Sequence, residues 1–283
     1  MKCSIVIVSY NSEDFLGECL RSVFEHTTGL SYEVWVVDNG SRDHTVESVR
    51  SQFSQVHLIV NDKNLGFSRA CNQAILHSTG EYILLLNPDT VILNNAIGRL
   101  MAYMDAHLDV GMAGGKVLNS DGTPQAACRR GMPTPWAMLC KATGLDRMFS
   151  WSRSMAEYNL LWRPWDQEAD VVSVSGSFQM ARRSVIESIG LLDEAIFMYG
   201  EDIDWCLRTR EAGWRVVYFP GARIIHYKGR SSKKEIARAR SEFYRSYLYL
   251  YEKWFAKKGN FLGRWLVSTM VATHRALSWR FMR

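Results

Sequence analysis

Four places in the chain carry side chains that can do chemistry. Glu201-Asp202-Ile203-Asp204 sets three carboxylates within four residues at the start of a predicted helix, where the positive end of the dipole favours negative charge. The preceding Phe197-Met198-Tyr199 is apolar, so the cluster is expected to open inside a partly buried cleft. A buried carboxylate beside like charge holds its proton more tightly, which suits a general base. Acidic capping of a helix gives the same pattern without chemistry. Asn87-Pro88-Asp89 ends the apolar run Leu84-Leu85-Leu86. One Asp there can help hold Mg²⁺ or Mn²⁺, hard cations that prefer oxygen, with diphosphate oxygens and water completing the shell. A Pro-containing turn is the plain alternative. Asp38, in Asp38-Asn39-Gly40-Ser41, ends another strand. Its carboxylate can accept hydrogen bonds from a base or ribose, or simply close an Asx turn. His226 follows Ile224-Ile225, and by itself reads as a core histidine.

These residues need a scaffold, and the patterning supplies one. Residues 4–8, 33–37, 57–60 and 82–86 are apolar runs without in-out alternation. Residues 13–25, 45–53 and 66–78 between them are expected helices; the first carries an apolar stripe at Phe15, Leu16, Cys19, Leu20, Val23 and Phe24. Such alternation predicts an α/β chain with a mostly parallel central sheet covered on both faces. Ligands of such sheets sit beyond the carboxyl ends of the strands, where Asp38 and Asp89 fall. Further strands are expected at 171–176 and 216–219, and helices at 184–189, 201–212 and 234–254. Residues 119–170 are rich in Trp, Arg, Pro and Gly. That stretch is expected to form a long lid or groove able to stack a sugar face and pair with phosphates.

With 283 residues and 47% hydrophobic content, the chain can build one large α/β domain, with or without an appendage. Residues 228–283 hold 14 Lys and Arg against 3 Asp and Glu, so they carry +11 and the rest −6 of the +5 total. The acidic body suits a bound cation, and the basic tail suits a phosphorylated acceptor or a lipid surface. The six cysteines are scattered with no C-x-x-C pair, which fits a reducing cytoplasm better than disulfides or zinc. The opening residues read as a buried strand rather than a signal peptide. Residues 261–283 are apolar but interrupted by Arg264, His274, Arg275 and Arg280, too broken for a span of ~20 apolar residues. They are expected to form an amphipathic helix, either at a membrane interface or docked on the protein's own core.

Taken together, the motifs resemble the family-2 inverting glycosyltransferases of the GT-A fold. Ile5-Val6-Ile7-Val8-Ser9-Tyr10-Asn11 resembles their first strand and loop, and Val36-Val37-Asp38-Asn39-Gly40-Ser41 their base-binding motif. Asn64-Leu65-Gly66-Phe67 with Asn72 resembles the helix start after the third strand, and Asn87-Pro88-Asp89 stands where the family has D-x-D. Val174-Ser175-Gly176-Ser177 and Gly190-Leu191-Leu192-Asp193-Glu194 precede Glu201-Asp202, with Arg208 and Trp214 after it. The match runs in order from about residue 3 to 229, and its pattern is similar to bacterial rhamnosyltransferases.

The resemblance implies a catalytic domain over residues 1–229, with a nucleotide-sugar half at 1–115 and an acceptor and catalytic half at 116–229. Residues 230–283 would then be a basic helical C-terminal extension. It implies that Ser9, Tyr10, Asn11, Asp38, Asn64, Gly66, Arg69, Asn87 and Gly176 bind the nucleotide sugar, with dTDP-rhamnose favoured and a UDP- or GDP-hexose the alternative. It implies Mg²⁺ or Mn²⁺ at Asp89 with His226 as a further ligand, Asp202 as general base with Glu201 the alternative, and Arg208 at the leaving diphosphate. Asn87 departs from the first Asp of D-x-D and leaves one metal carboxylate, a departure shared by the rhamnosyltransferase-like subgroup. The acceptor implied is a glycan or lipid-linked saccharide of the bacterial envelope. The place implied is the cytoplasm, peripheral to the inner face of the membrane.

Three other readings predict features the sequence lacks or has no use for. A sugar nucleotidyltransferase needs a Gly-rich, basic phosphate loop after the first strand, where Ser9-Tyr10-Asn11-Ser12 stands. A non-catalytic nucleotide- or sugar-binding module has no need of Glu201-Asp202. No nucleic-acid motif accompanies the basic tail, so no nucleic-acid partner is expected.

Overall fold

The structure is a computed structural model that describes residues 1–227 and 236–256. The amphipathic segment expected at 261–283 lies outside the described residues. The chain opens with β1 (Cys3–Ser9), α1 (Leu16–His26), β2 (Tyr32–Asp38), α2 (Thr45–Gln52), β3 (His57–Val60), α3 (Phe67–His77) and β4 (Tyr82–Leu86). Every residue of β1 and β4 is buried, as an apolar run covered on both faces requires. β1 lies parallel between β2 and β4, and β3 lies parallel to β2.

The remainder contains β5 (Thr90–Leu93), α4 (Ala96–Ala106), β6 (Val110–Leu118), β7 (Arg129–Arg130), α5 (Pro135–Thr143), α6 (Leu145–Met148) and β8 (Ala169–Asp170). Then come β9 (Ser173–Val174), β10 (Phe178–Arg182), α7 (Arg183–Ile189), α8 (Glu201–Glu211), β11 (Arg215–His226) and α9 (Ile236–Trp254). Among the described residues the main sheet runs β3-β2-β1-β4-β10-β6-β11-β5, with β8 also beside β11. β10 is antiparallel to both β4 and β6, and β6 and β11 are parallel. The result is a parallel half, β3-β2-β1-β4, joined to a mixed half.

The differences from expectation have local causes. β6 was hidden by Gly111, Gly114 and Gly115, which weaken a strand signal. They are needed for packing: a Cβ on Gly115 would sit 2.5 Å from the Ala222 carbonyl oxygen, and one on Gly114 2.6 Å from Val174 Cβ. The strand expected at 171–176 shrinks to β9, which pairs with β7 in a small separate sheet, and β10 joins the main one. The strand expected at 216–219 is longer, because β11 resumes after an irregularity between Phe219 and Arg223, at Pro220-Gly221.

Strand directions gather the candidate residues at one edge. Ser9 at the end of β1 is in register with Asp38 at the end of β2. Phe178 at the start of the antiparallel β10 faces Leu86 at the end of β4, so Gly176 lies at the same edge. His226 pairs with Thr90, one residue after Asp89. The C-terminal helix expected as an extension joins this body: α9 packs Leu250 with Ile196, Ile203 and Leu207, next to the start of α8. All six cysteines are free and buried. Among the described residues no helix is long and apolar enough to cross a membrane.

Candidate active site

Asp38 is fully buried at the end of β2. Its Oδ1 accepts from the Ser9 and Ser41 hydroxyls, and its Oδ2 accepts from the Ser41 backbone N–H at 2.9 Å. The carboxylate therefore ties the β1 loop to the β2 turn. Asn11, at φ +50°, continues that tie: its N–H donates to Ser41 Oγ and its Oδ1 accepts from the Arg42 N–H. Tyr10 donates its N–H to Ser12 Oγ. Asn39 carries the linkage to the next motif, donating from Nδ2 to Asn64 Oδ1 and to the Gly66 carbonyl. Ser9, Tyr10, Asn11, Asp38, Asn64 and Gly66 thus form one connected rim.

The rim continues into the approach to α8. Gly66 has φ +92°, and a Cβ there would stand 2.8 Å from the Phe197 carbonyl oxygen. Phe67 donates its N–H to that oxygen, and Ser68 donates Oγ–H to the Ile196 carbonyl. Asn72 bonds Leu192 through both backbone groups and also donates to Glu194 Oε1. Arg69, expected at the nucleotide sugar, pairs with Glu194 Oε2 at 2.9 Å. The motifs at 64–72 and 190–194 are therefore two sides of one seam.

That seam delivers the acidic cluster. Tyr199 at φ +70° and Gly200 at φ +95° turn the chain through two left-handed residues directly before α8, a costly conformation for Tyr. Asp202 is buried, and Arg130 Nη1 donates to its Oδ2 at 2.9 Å. The Gly176 N–H donates to the same oxygen at 3.0 Å. Burial lowers the proton affinity of Arg130, but the charge of Asp202 beside it more than offsets this, so the guanidinium is held above its ordinary range. Glu201 is buried too, and its Oε2 has no hydrogen-bond partner. Burial, then the charge of Asp202, pushes its carboxyl up to about 8. The two adjacent carboxyls sit in different surroundings: Asp202 accepts from Arg130 and the Gly176 N–H, while Glu201 keeps its proton at pH 7.

Arg208, expected at the leaving diphosphate, is committed elsewhere. It pairs with Asp204 at 2.9 Å and donates to the carbonyls of Ile189, Gly190 and Leu191. It holds the turn after α7 against α8.

Asp89 is buried and its Oδ1 accepts no hydrogen bond, although His226 Nε2 lies 3.1 Å away. Gln125 explains this. Its Nε2 donates to the His226 carbonyl at 2.7 Å, which turns Oε1 toward His226 Nδ1 at 3.1 Å. Nδ1 must then carry the proton, so in the neutral ring Nε2 presents a lone pair. Asn87 Nδ2 lies 3.3 Å from His226 Nε2 and donates to that lone pair in this tautomer. A lone pair facing an orphaned carboxylate oxygen fits a divalent cation, with Asp89 and His226 as protein ligands. Among the described residues no group of three or more His, Cys, Asp or Glu is placed to hold a metal, so most of any shell would come from the ligand and water.

The sequence profile of Glycosyl transferase family 2 matches residues 4–190, well over half of the chain. The chain belongs to glycosyltransferase family 2. The transferase is 27% identical over 273 residues to the N-acetylglucosaminyl-diphospho-decaprenol L-rhamnosyltransferase of Mycobacterium tuberculosis, covering 88% of this chain and 84% of the relative. It is 27% identical over 234 residues to the dTDP-rhamnosyl transferase RfbF of Shigella flexneri, covering 81% and 70%. The structure of GalNAc-T7 with UDP, GalNAc and Mn²⁺ superposes with a TM-score of 0.65 at 17% identity, covering 90% of this transferase and 48% of that chain. The Staphylococcus aureus TarS 1–349 structure superposes at 0.54 and 17% identity, covering 92% and 74%. The GT-A fold expected from the motifs is thus present, in an enzyme that transfers a glycosyl group.

Two partners escaped sequence reasoning. Arg130 stood in an Arg-rich stretch with nothing to tie it to Asp202, 72 residues away. Gln125 sits between an irregular turn and a short 3₁₀ helix, and no local signal marks it.

Proposed function

We propose that this transferase moves L-rhamnose from dTDP-rhamnose, with inversion, to a hydroxyl of a glycan or lipid-linked saccharide of the bacterial envelope. The observation that carries the chemistry is the Asp202–Arg130 pair beside the proton-holding Glu201. A single displacement needs a carboxylate placed to take the acceptor's proton, and Asp202, held by Arg130 and the Gly176 N–H, is our choice for it. The acceptor hydroxyl gives its proton to Asp202 as its oxygen bonds to the anomeric carbon. The bond to the diphosphate breaks with its electron pair leaving on phosphate oxygen, through an oxocarbenium-like state comparable to inverting glycoside hydrolysis. The rim from Ser9 to Gly66 binds the nucleotide. Asp89 and His226 would hold Mg²⁺ or Mn²⁺, which when bound would neutralise charge on the diphosphate. The named activities of the Mycobacterium and Shigella relatives support rhamnose and dTDP.

Thermal-shift titration with Mn²⁺ and a panel of nucleotides tests the donor. The expected result is stronger stabilisation by dTDP than by UDP or GDP; preference for UDP would transfer the reading to another hexose. The basic residues 228–283 supply the membrane contact, at about 1 kcal/mol per Lys or Arg near anionic lipid. The full chain is expected to sediment with anionic vesicles, and a chain ending at Gly259, which loses the apolar segment 261–283 and four of the fourteen basic residues, is expected to sediment less.

A further inference from the structure

A second polar cavity lies outside the site described above. It has a volume of ≈ 270 Å³ and is lined by Arg129, Arg153, Trp162, Arg163, Pro164, Gln167, Glu168 and Ala169. Arg129 and Arg130 are successive residues of β7, so their side chains leave on opposite faces. Arg130 goes to Asp202, and Arg129 to this cavity.

Its charge is unusual. Arg129 is fully buried, yet it forms no ion pair with a described residue. Its Nη1 and Nη2 donate to the carbonyls of Pro164, Leu160 and Arg163, and its guanidinium lies 4.1 Å from the Trp165 ring centre. Its Nε–H has no acceptor. Arg153 and Arg163 both lie 4.7 Å from the centre of the Trp162 ring, and neither is ion-paired to a described residue. The Arg163 Nε–H and the Trp162 Nε1–H also lack acceptors. Two guanidiniums therefore flank Trp162 and a third, Arg129, stacks on Trp165 in the same lining, with Glu168 the sole carboxylate among the lining residues. Carbonyls and rings hold Arg129 in place but do not neutralise it. A buried charge without a counter-ion is expensive, and like charges close together add to the cost.

We propose that this cavity binds an anion of the phosphate class, a phosphate or diphosphate group, through Arg129, Arg153, Arg163 and Trp162. Guanidinium forks match phosphate oxygens and give strong charge-assisted hydrogen bonds. The volume decides the scale: ligand pockets for whole drug-sized molecules span roughly 300–1,000 Å³, so this one suits a phosphoryl group and its near surroundings rather than an entire nucleotide sugar. The group can come from a free phosphate or from a lipid headgroup. The proposal stands on this cavity alone and does not require the rhamnosyl reading.

The test compares the full chain with the Arg153→Gln/Arg163→Gln double variant, both in EDTA so that no metal–diphosphate complex forms elsewhere. Calorimetric titration with inorganic pyrophosphate forms one arm. Titration with a soluble short-chain phosphatidic acid, which offers the headgroup without a membrane surface, forms the other. Wild type is expected to bind at least one probe, and the double variant to bind it at least tenfold more weakly. Arginine-dependent pyrophosphate binding assigns a free phosphate, and arginine-dependent binding of the short-chain phosphatidic acid alone assigns a headgroup. Because the variant removes unpaired like charges, its melting temperature is expected to equal or exceed that of wild type. Should it melt lower, Trp162→Phe, which keeps the ring and removes one N–H donor, replaces it and is expected to weaken binding severalfold. Wild type binding neither probe, or variants binding as tightly as wild type, overturns the proposal.

Discussion

Arg130 Nη1, on β7, donates to Asp202 Oδ2, on α8, across 2.9 Å, and so the carboxylate proposed as the base is held by a largely buried cation. The Gly176 N–H shares that oxygen. Asp202→Asn keeps the shape but removes the base. We expect kcat to fall by about 10²–10⁴-fold, the usual contribution of a positioned base, with donor binding retained. A near wild-type kcat would remove Asp202 from the mechanism. Arg130→Gln should also lose turnover. It should lose stability as well, by about 3–5 kcal/mol, because removing one partner of a buried pair strands the other. Chemical denaturation of the variant checks this.

Glu201 gives a prediction with a pH signature. Its carboxyl titrates near 8 in the fold, against an ordinary value of 4.5. Between these pH values the unfolded chain has released this proton while the folded one retains it. Stability therefore falls as pH rises through that window, at up to ~1.4 kcal/mol per unit from this group. Glu201→Gln mimics the neutral form and removes the dependence. Urea unfolding at pH 5 and pH 8 should show the variant gaining on wild type at the higher pH; parallel losses in the two proteins would refute the assignment. At pH 7 the variant should keep kcat within severalfold of wild type. A loss as deep as that of Asp202→Asn would make Glu201 the base.

Much of this was legible in the sequence, and the reason is local. β1, β2, β3 and β4 are short apolar runs bounded by polar turns, so their period and ends stand out, and Asp38 and Asp89 are fixed at the edge by those ends. Glu201-Asp202 announces itself by charge against an apolar lead-in. What failed is tertiary. β6 trades side chains for glycine because Ala222 and Val174 press on it. Arg69 and Arg208 look like ligand-binding arginines in one dimension, but Glu194 and Asp204 engage them in three. Arg130 and Gln125 act through partners 72 and 101 residues away, and no periodicity encodes such a distance.

Gln125 is a positioning residue for the proposed metal pair, Asp89 and His226. Its amide cannot flip, because only Nε2 can meet the His226 carbonyl. Gln125→Leu frees the ring to place its proton on Nε2, facing Asp89. Mutation of such outer partners typically costs about 10–100-fold in metal affinity. Electron paramagnetic resonance of free Mn²⁺ measures this without an assay of turnover, and ¹⁵N shifts of His226 report the tautomer. Unchanged Mn²⁺ affinity with a changed tautomer would remove His226 from the metal site.

α9 closes over the acidic cluster through Lys253, which reaches Asp193 at 2.6 Å and the fully buried Asp204 at 2.8 Å. Burial opposes the charge on Lys253, but its hydrogen bonds to both carboxylates outweigh this and the amine is held above its usual range. Trp254 Nε1 also donates to Asp204, and Ser246 donates to the Met198 carbonyl just before the turn into α8. Lys253→Met keeps the stem and removes the charge. Asp193 still has Tyr249, and Asp204 still has Arg208 and Trp254, so the loss should be moderate, about 1–3 kcal/mol. Urea denaturation measures it. Hydrogen exchange should show the loss as faster opening of α9 and of residues 199–204, with the β1–β4 core unchanged. Equal exchange in α9 and α8 before and after the substitution would mean that Lys253 does not couple the two helices.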